Sequence, residues 1–436
     1  MATGGERTYP VQVNDGSALY TDHYELTMIA AALRDGTAER QSVFEVFARR
    51  LPTGRRYGVV AGTGRLVEAL TSLRFGEAEI TYLREAHVVD QETADWLAGY
   101  RFTGDIDGYA EGDLFFPRSP ILTVRGAFAE CVLLETLTLS VLNHDCAVAA
   151  AAARMVTAAR GRPIIEMGSR RTHEAAAVAS ARSAYLAGFA STSNLAAGRR
   201  YGIPTAGTAA HAFTLLHDTE SAAFASQIST LGKQTTLLVD TYDIAQGIRN
   251  AVAIAGPDLR AIRIDSGDLS VLAQQSRELL DSLGAADTKI IVSGDLDEYA
   301  IAALAAEPVD SYGAGTAVVV GSGAPTAGLV YKLVEVDGKP VVKRSEQKAT
   351  VGGRKTAVRR HKPTGTAVEE VVSPGVPHPR PHDVALQCPL VRGGRPVGDL
   401  PTLEESRGLL RQRLIAIPWE GLKLSAGDPA IPVIRN

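Results

Sequence analysis

Three tracts in the second half of the chain place carboxylates beside small residues: VDTYD at 239–243, RIDSGDL at 263–269 and VSGDLDE at 292–298. Each follows a short apolar run, so each opens at the end of an expected strand. Asp240, Asp265 and Asp295, flanked by Ser, Thr or Gly, suit two tasks: binding sugar hydroxyls directly, and holding Mg²⁺ through oxygen or water ligands. Arg263 lies two residues before Asp265 and so shares its side of the strand. Its fork of N–H donors matches a phosphate. For any one of these carboxylates the competing reading is a cap on the helix that follows.

His211, in TAGTAAHAF, also follows an apolar run. A neutral imidazole can attack a phosphoryl group, whereas a lone histidine is more often structural. The glycines of YGAGTAVV (312–319) would let backbone N–H groups approach an anion closely, with a plain turn as the alternative. A P-loop is excluded: no GxxxxGK[ST] occurs, and GSGAPTAG at 321–328 lacks the lysine. No GxGxxG opens a helix after a strand.

These residues need a scaffold that brings strand ends together. After Arg160 the sequence repeats a short apolar strand, a polar end, a Gly-containing turn and a helix. The expected strands are Pro163–Ile165, Leu186–Ala190, Ile203–Thr205, Thr236–Val239, Ala261–Ile264, Lys289–Val292 and Val309–Tyr312. Repeated βα units imply parallel strands joined by crossover helices. Their compactness implies a closed barrel, whose active site forms at the C-terminal strand ends. Glu166, Thr192, Ser193, Asp240, Asp265 and Asp295 all fall there.

Upstream, residues 21 to 36 read as a helix stopped by Gly36, and Ser42–Phe47 as a strand leading to Arg49 and Arg50. Residues 62 to 110 read as short helices alternating with strands. Past Gly328, LVYKLVEV–DGK–PVVKRS has a hairpin pattern, and 349 to 400 reads as loops and short strands. The expected fold is therefore α/β: an irregular (β/α) barrel of parallel strands over 126–328. A second, discontinuous α+β domain is expected from 1–125 and 329–436.

Length and composition agree. The chain has 436 residues, room for two domains, with 45% hydrophobic and 22% charged residues. A net charge of -4 gives no electrostatic reason to expect nucleic acid or an anionic membrane. Cys131, Cys146 and Cys388 are too few and too scattered for a zinc site or a disulfide framework, which favours a reducing cytoplasm. The polar start lacks a signal peptide's apolar run. The apolar stretches at 128–142 and 146–159 are interrupted by polar residues, so no membrane span is expected.

The residues also resemble a family. TDHYELTM (21–28), FEVFARRLP (44–52), LLETLTLSVLNHD (133–145), EMGSRR (166–171), GFASTSN (188–194), GTAAHAF (207–213), VDTYD, IRIDSGDL, SGDLDE, YGAGTAVV and YKLVE (331–335) occur in the order found in nicotinate phosphoribosyltransferases, type II phosphoribosyltransferases. The resemblance runs over nearly the full chain. It implies an ATP-coupled enzyme of NAD salvage: nicotinate, PRPP, ATP and water give nicotinate mononucleotide, diphosphate, ADP and phosphate.

The same resemblance implies roles. His211 is the residue phosphorylated by ATP, with Ala212 where relatives often carry Ser. Tyr24 stacks on the pyridine ring, donated across a homodimer interface, with Asp22 beside it. Arg170 meets the substrate near ring and ribose. Asp240, Arg263 and Asp265 contact the PRPP pyrophosphate and ribose, and Mg²⁺ arrives with PRPP, near Asp240 or Asp265. Gly294, Asp295, Gly315 and Thr316 cradle the 5′-phosphate and ribose. Lys332 and Arg49 or Arg50 are cationic partners of the phosphates. Met167 stands where relatives often have an aromatic ring slab.

Thr192–Ser193 bears on substrate choice. Related nicotinamide enzymes place Asp after this Thr, where a carboxylate accepts from an amide but repels an acid. Ser193, with Arg170 and Arg171, favours nicotinate; capping of the next helix by its hydroxyl is the competing role, and the two can coexist. A nicotinamide enzyme and a non-catalytic regulator binding NaMN or PRPP are the alternatives.

Overall fold

A computed structural model describes residues 17–343, 351–375 and 380–435. The polar start at 1–16, part of the expected PVVKRS strand (344–345) and residues 349–350 and 376–379 lie outside the described residues.

Six strands form one parallel sheet, in the spatial order Ser191–Thr192, Ile164–Glu166, Ser311–Ala314, Lys289–Gly294, Ala261–Ile264 and Thr236–Leu238. Their Val and Ile side chains fill a continuous core with the covering helices; Ile164, Leu237, Ile262, Ile264, Ile290 and Val292 are all buried. The fold class is as the sequence implies, with three local corrections. Leu186 ends the helix Glu174–Leu186, and only Ser191–Thr192 is strand. Ile203–Thr205 is reduced to one bridge, Thr192 to Thr205.

The third correction concerns closure. Among the described residues no strand pairing joins Thr205 to Thr236–Leu238, so the sheet curls but stays open. The segment 206–211 spans that gap instead. Ala206 N–H donates to Thr192 O on one edge, and His211 contacts Thr241 beyond the other. Barrel closure by a chemically rich loop rather than a strand explains why the GTAAH tract has no strand pattern.

Chain ends cooperate in a second sheet. Gln41–Ala48 pairs antiparallel with Leu329–Val336 on one side and Leu122–Ala127 on the other, extended by Asp105–Tyr109 and Gln387–Arg392. Asp337 (φ 48°) and Gly338 (φ 72°) make the tight turn into Lys339–Pro340, as expected for a two-residue hairpin loop. Residues 62 to 110 differ from expectation: Thr63–Ser72, Glu77–Glu85 and Gln91–Gly99 are helices with no strand between them. The region expected as loops and short strands contains Lys355–His361 and Ala367–Pro374, paired antiparallel. Buried Arg359 ties them inward, to Asp113 Oδ1 at 2.5 Å and to Glu370 Oε2 at 3.1 Å.

The helix Glu135–Ala159 joins the two halves. Leu137, Val141, Leu142 and Cys146 pack in the core of the antiparallel sheet, and Val148 to Ala159 in that of the parallel sheet. Its run of alanines lets Glu174–Leu186 and Glu298–Ala303 lie close alongside. By length and composition alone Phe128–Ala159 is apolar enough to cross a membrane, but 67% of its most apolar window is buried inside the protein, as in a core helix. Cys131, Cys146 and Cys388 are free thiols.

Candidate active site

The rival roles of the strand-end carboxylates separate cleanly. Asp243, Asp268 and Asp297 cap the helices that follow, accepting from Gln246, Val271, and Tyr299 and Ala300 N–H groups. Asp240, Asp265 and Asp295, the first carboxylate of each tract, cap nothing. Each tract therefore carries one Asp for the helix and one for the barrel mouth.

The Asp240 side chain is 1% exposed. Its Oδ2 accepts from Asp265 N–H at 2.8 Å and from the Ser266 hydroxyl at 2.9 Å, while Oδ1 has no hydrogen-bond partner among the described residues. His211 opens the short helix His211–Leu215 and brings Nε2 to 3.9 Å from that Oδ1. Its Nδ1 lies 3.1 Å from the Thr241 hydroxyl. Asp265 accepts a hydrogen bond from Ser293, and Arg263 donates to Thr208. Arg263 Nε is buried without a partner. Burial lowers the Arg263 pKa, Asp265 and Asp240 oppose that, and nearby Arg170 reinforces it. Two buried polar atoms left unsatisfied in one cluster carry a desolvation cost that a polar ligand would relieve.

Backbone approach shapes the rest. Gly294 has φ 134°, and a side chain there would sit 3.1 Å from Asp265 O. A side chain at Gly313 would meet Met167 Sδ at 2.8 Å, so Met167 packs directly on the strand Ser311–Ala314. At Gly315 it would stand 3.2 Å from Met167 O. Thr316 is half-buried, and Asp295 is exposed.

Ser193 and Arg170 are exposed at neighbouring strand ends. Ser193 does not cap the next helix: Asn194 does, accepting from Ala197 N–H at 2.9 Å. The exposed Ser193 hydroxyl is not used in that cap. Thr192 is fully buried, and its hydroxyl donates to Glu166 at 2.5 Å, so its side chain points into the protein rather than to the strand-end surface.

A second group lies apart. Tyr24, 46% exposed, extends from the helix His23–Asp35, with its phenol beside the Glu135 carboxylate. Burial, with the Glu135, Glu25 and Asp22 carboxylates, pushes this phenol's pKa well up. Lys332 Nζ lies 3.6 Å from Glu135. Arg49 sits with Arg118 and Arg435 in a basic group, and Arg50 is exposed. Among the described residues no hydrogen bond or ion pair connects Tyr24, Lys332 or Arg49 to the His211 cluster. Thr208, Thr241, Ser266, Ser293 and Glu135 escaped sequence reasoning, although four of them lie within three residues of a predicted site residue.

Glycines, carboxylates and a guanidinium with one unsatisfied N–H gather at one end of a curled parallel sheet, and the segment that builds this sheet is of the quinolinate phosphoribosyltransferase type. Residues 148–322 match the family model described as the quinolinate phosphoribosyl transferase C-terminal domain, and 19–143 that of the nicotinate phosphoribosyltransferase N-terminal domain. The chain belongs to the nicotinate phosphoribosyltransferase family. It is 63% identical to nicotinate phosphoribosyltransferase pncB1 of Mycobacterium tuberculosis, covering 96% of this chain and 95% of that one. With the Bacillus subtilis nicotinate phosphoribosyltransferase it shares 37% identity, over 79% and 74% of the two chains. The human nicotinic acid phosphoribosyltransferase structure superposes with a TM-score of 0.84 at 27% identity, over 95% and 97%.

Proposed function

We propose that this protein joins nicotinate to the ribose phosphate of PRPP, yielding nicotinate mononucleotide and diphosphate, as a step of NAD salvage. The observation that carries this reading is the His211–Asp240–Asp265–Arg263 cluster, with Asp240 Oδ1 and Arg263 Nε buried and unpartnered beside the exposed Ser193 and Arg170.

In the displacement the pyridine nitrogen attacks the anomeric carbon and the carbon–oxygen bond to diphosphate breaks. No base is required, because that nitrogen carries no proton. Positive charge grows on the sugar, which favours Asp240 and Asp265 near the ribose. Negative charge leaves on diphosphate, which favours Arg263. Mg²⁺ fits the donor set, since it typically takes one or two carboxylates plus substrate phosphates. Asp240, through its free Oδ1, and Asp265 would hold it, and it supplies charge neutralisation of the leaving group. Gly294, Asp295, Gly315 and Thr316 cradle the 5′-phosphate and ribose.

ATP is the co-substrate in this reading. With Nδ1 engaged by Thr241, Nε2 of His211 is free to take the γ-phosphoryl group, releasing ADP; water then returns phosphate. Ser193 and Arg170 select the acid over the amide, since neither presents negative charge to the ring carboxylate. Tyr24, Lys332 and Arg49, apart from the cluster in one chain, serve the site of a second copy, so the working unit is a homodimer in the cytoplasm. Exposed Leu215, Leu216 and Tyr242 around His211 suit coverage by that copy.

Incubation with PRPP and Mg²⁺ and either nicotinate or nicotinamide, with and without ATP, tests the reading. Nicotinate mononucleotide, formed faster with ATP, is the expected result. Binding without turnover of either ring would replace it with a regulator.

A further inference from the structure

Glu166 ends the strand Ile164–Glu166 fully buried. Oε1 accepts from Gly168 N–H at 2.5 Å, and Oε2 from the Thr192 hydroxyl at 2.5 Å. Its backbone carbonyl takes Ser193 N–H at 2.8 Å. Two further bonds run alongside: Asn194 N–H to Thr192 Oγ1 at 2.9 Å, and Asn194 Nδ2 to Ser169 Oγ at 3.0 Å. No cation contributes to its electrostatics, and burial, against the Thr192 and Gly168 hydrogen bonds, keeps the carboxyl above its ordinary range. A bare buried carboxyl between two loops is costly to keep. An apolar residue could fill the space, but nothing apolar could hold both loops by hydrogen bonds.

We propose that Glu166 is a positioning residue for substrate recognition, a brace that fixes Arg170 and Ser193 at the spacing of the ring and its carboxylate. One arm sets the turn Gly168–Arg171, and the other sets the Ser191–Asn194 strand end. Gly168 admits no side chain, which would meet Val319 at 2.2 Å and Gly315 O at 3.0 Å, so the turn cannot compensate by shifting inward. Both readers are exposed and, among the described residues, make no side-chain hydrogen bond or ion pair, so their placement depends on the backbone the brace holds. This inference rests on the nicotinate reading.

The test compares steady-state kinetics and melting temperature for the parent, Glu166→Ala, Glu166→Gln and Thr192→Val. Releasing two loops by fractions of an ångström lowers kcat/KM for nicotinate by about 100-fold in Glu166→Ala, carried mainly by KM, with the PRPP KM within about twofold. Glu166→Gln restores most of the loss, because an amide still accepts from Gly168 and donates to the Thr192 oxygen. Thr192→Val cuts one arm only and falls between, and it serves if Glu166→Ala does not fold. A folded Glu166→Ala or Thr192→Val with lowered melting temperature but the parent's nicotinate KM overturns the brace alone. A parent inactive on nicotinate overturns the reading beneath it, and the brace falls with it.

Discussion

The Asp240 carboxylate accepts a hydrogen bond from Asp265 N–H at 2.8 Å, so the ends of two neighbouring strands are locked to each other by one of their own catalytic candidates. The bond uses Oδ2 and leaves Oδ1 turned to the site.

Asp240→Asn therefore keeps the shape but removes the charge. We expect kcat/KM for PRPP to fall by about 100-fold or more, with a rightward shift in the Mg²⁺ dependence and little change in melting temperature. An unchanged Mg²⁺ curve would remove Asp240 from the metal's neighbourhood.

His211→Ala should retain slow nicotinate mononucleotide synthesis while losing ATP hydrolysis and ATP stimulation. Acid-labile ³²P incorporation from γ-labelled ATP, present in the parent and absent in the variant, reports the same step. Full ATPase activity in the variant contradicts the phosphohistidine role.

Ser193→Asp brings a carboxylate to the position left free by Asn194's capping. Its repulsion of the nicotinate carboxylate should cost about tenfold or more in kcat/KM, and nicotinamide should lose far less. Equal losses on the two rings would show that Ser193 does not read the substituent.

Tyr24→Ala and His211→Ala, each weak alone, should complement when co-expressed. In a C2 dimer with shared sites, a mixed pair concentrates both lesions in one site and leaves the other intact, so roughly a quarter of the sites recover. No recovery of ATP-stimulated synthesis means that Tyr24 serves its own subunit.

Glu298 is 1% exposed between Arg55 Nη1 at 2.8 Å and Arg154 Nε at 2.9 Å. Burial opposes its ionisation, but Ser322, Arg154 and Arg55 outweigh it, and its pKa is lowered. A lowered carboxylate pKa stabilises the fold above the unfolded value near 4.5, and that contribution disappears as pH falls through the folded value. Glu298→Gln should cost about 3 kcal/mol at pH 7, and the gap in melting temperature between variant and parent should narrow steadily as pH falls below 4.5 and through the lowered folded value. A gap that does not narrow at all as pH falls below 4.5 would assign the loss to packing rather than charge.

Much of this was legible because carboxylates and glycines mark strand ends. Asp240 and Asp265 are marked that way, Arg263 by its place two residues before Asp265 and His211 by the apolar run before it, and the structure brings the four together. What misled was local pattern without partner. Leu186–Ala190 is apolar enough for a strand, but the helix before it runs on through Leu186 because its face packs on the alanine helix. Ile203–Thr205 has strand character but only Thr192 to bridge. The hydroxyls of Thr208, Thr241 and Ser293 were silent because Ser and Thr occur everywhere, and only a fold shows which carboxylate, guanidinium or imidazole they meet. Thr192 belongs by pattern to the strand-end set expected to meet substrate, but tertiary burial turns its hydroxyl to Glu166 instead.

The sheet that pairs Gln41–Ala48 with Leu329–Val336 has a consequence for how the protein is made. The first strand leaves the ribosome roughly 280 residues ahead of its partner, an interval of about 15 to 55 seconds at ordinary translation rates. Throughout that time one edge of a strand with seven core-facing or buried residues has no native neighbour. Newborn chains on a crowded polysome are thus the stage at which this protein is most exposed to pairing with the wrong copy of itself.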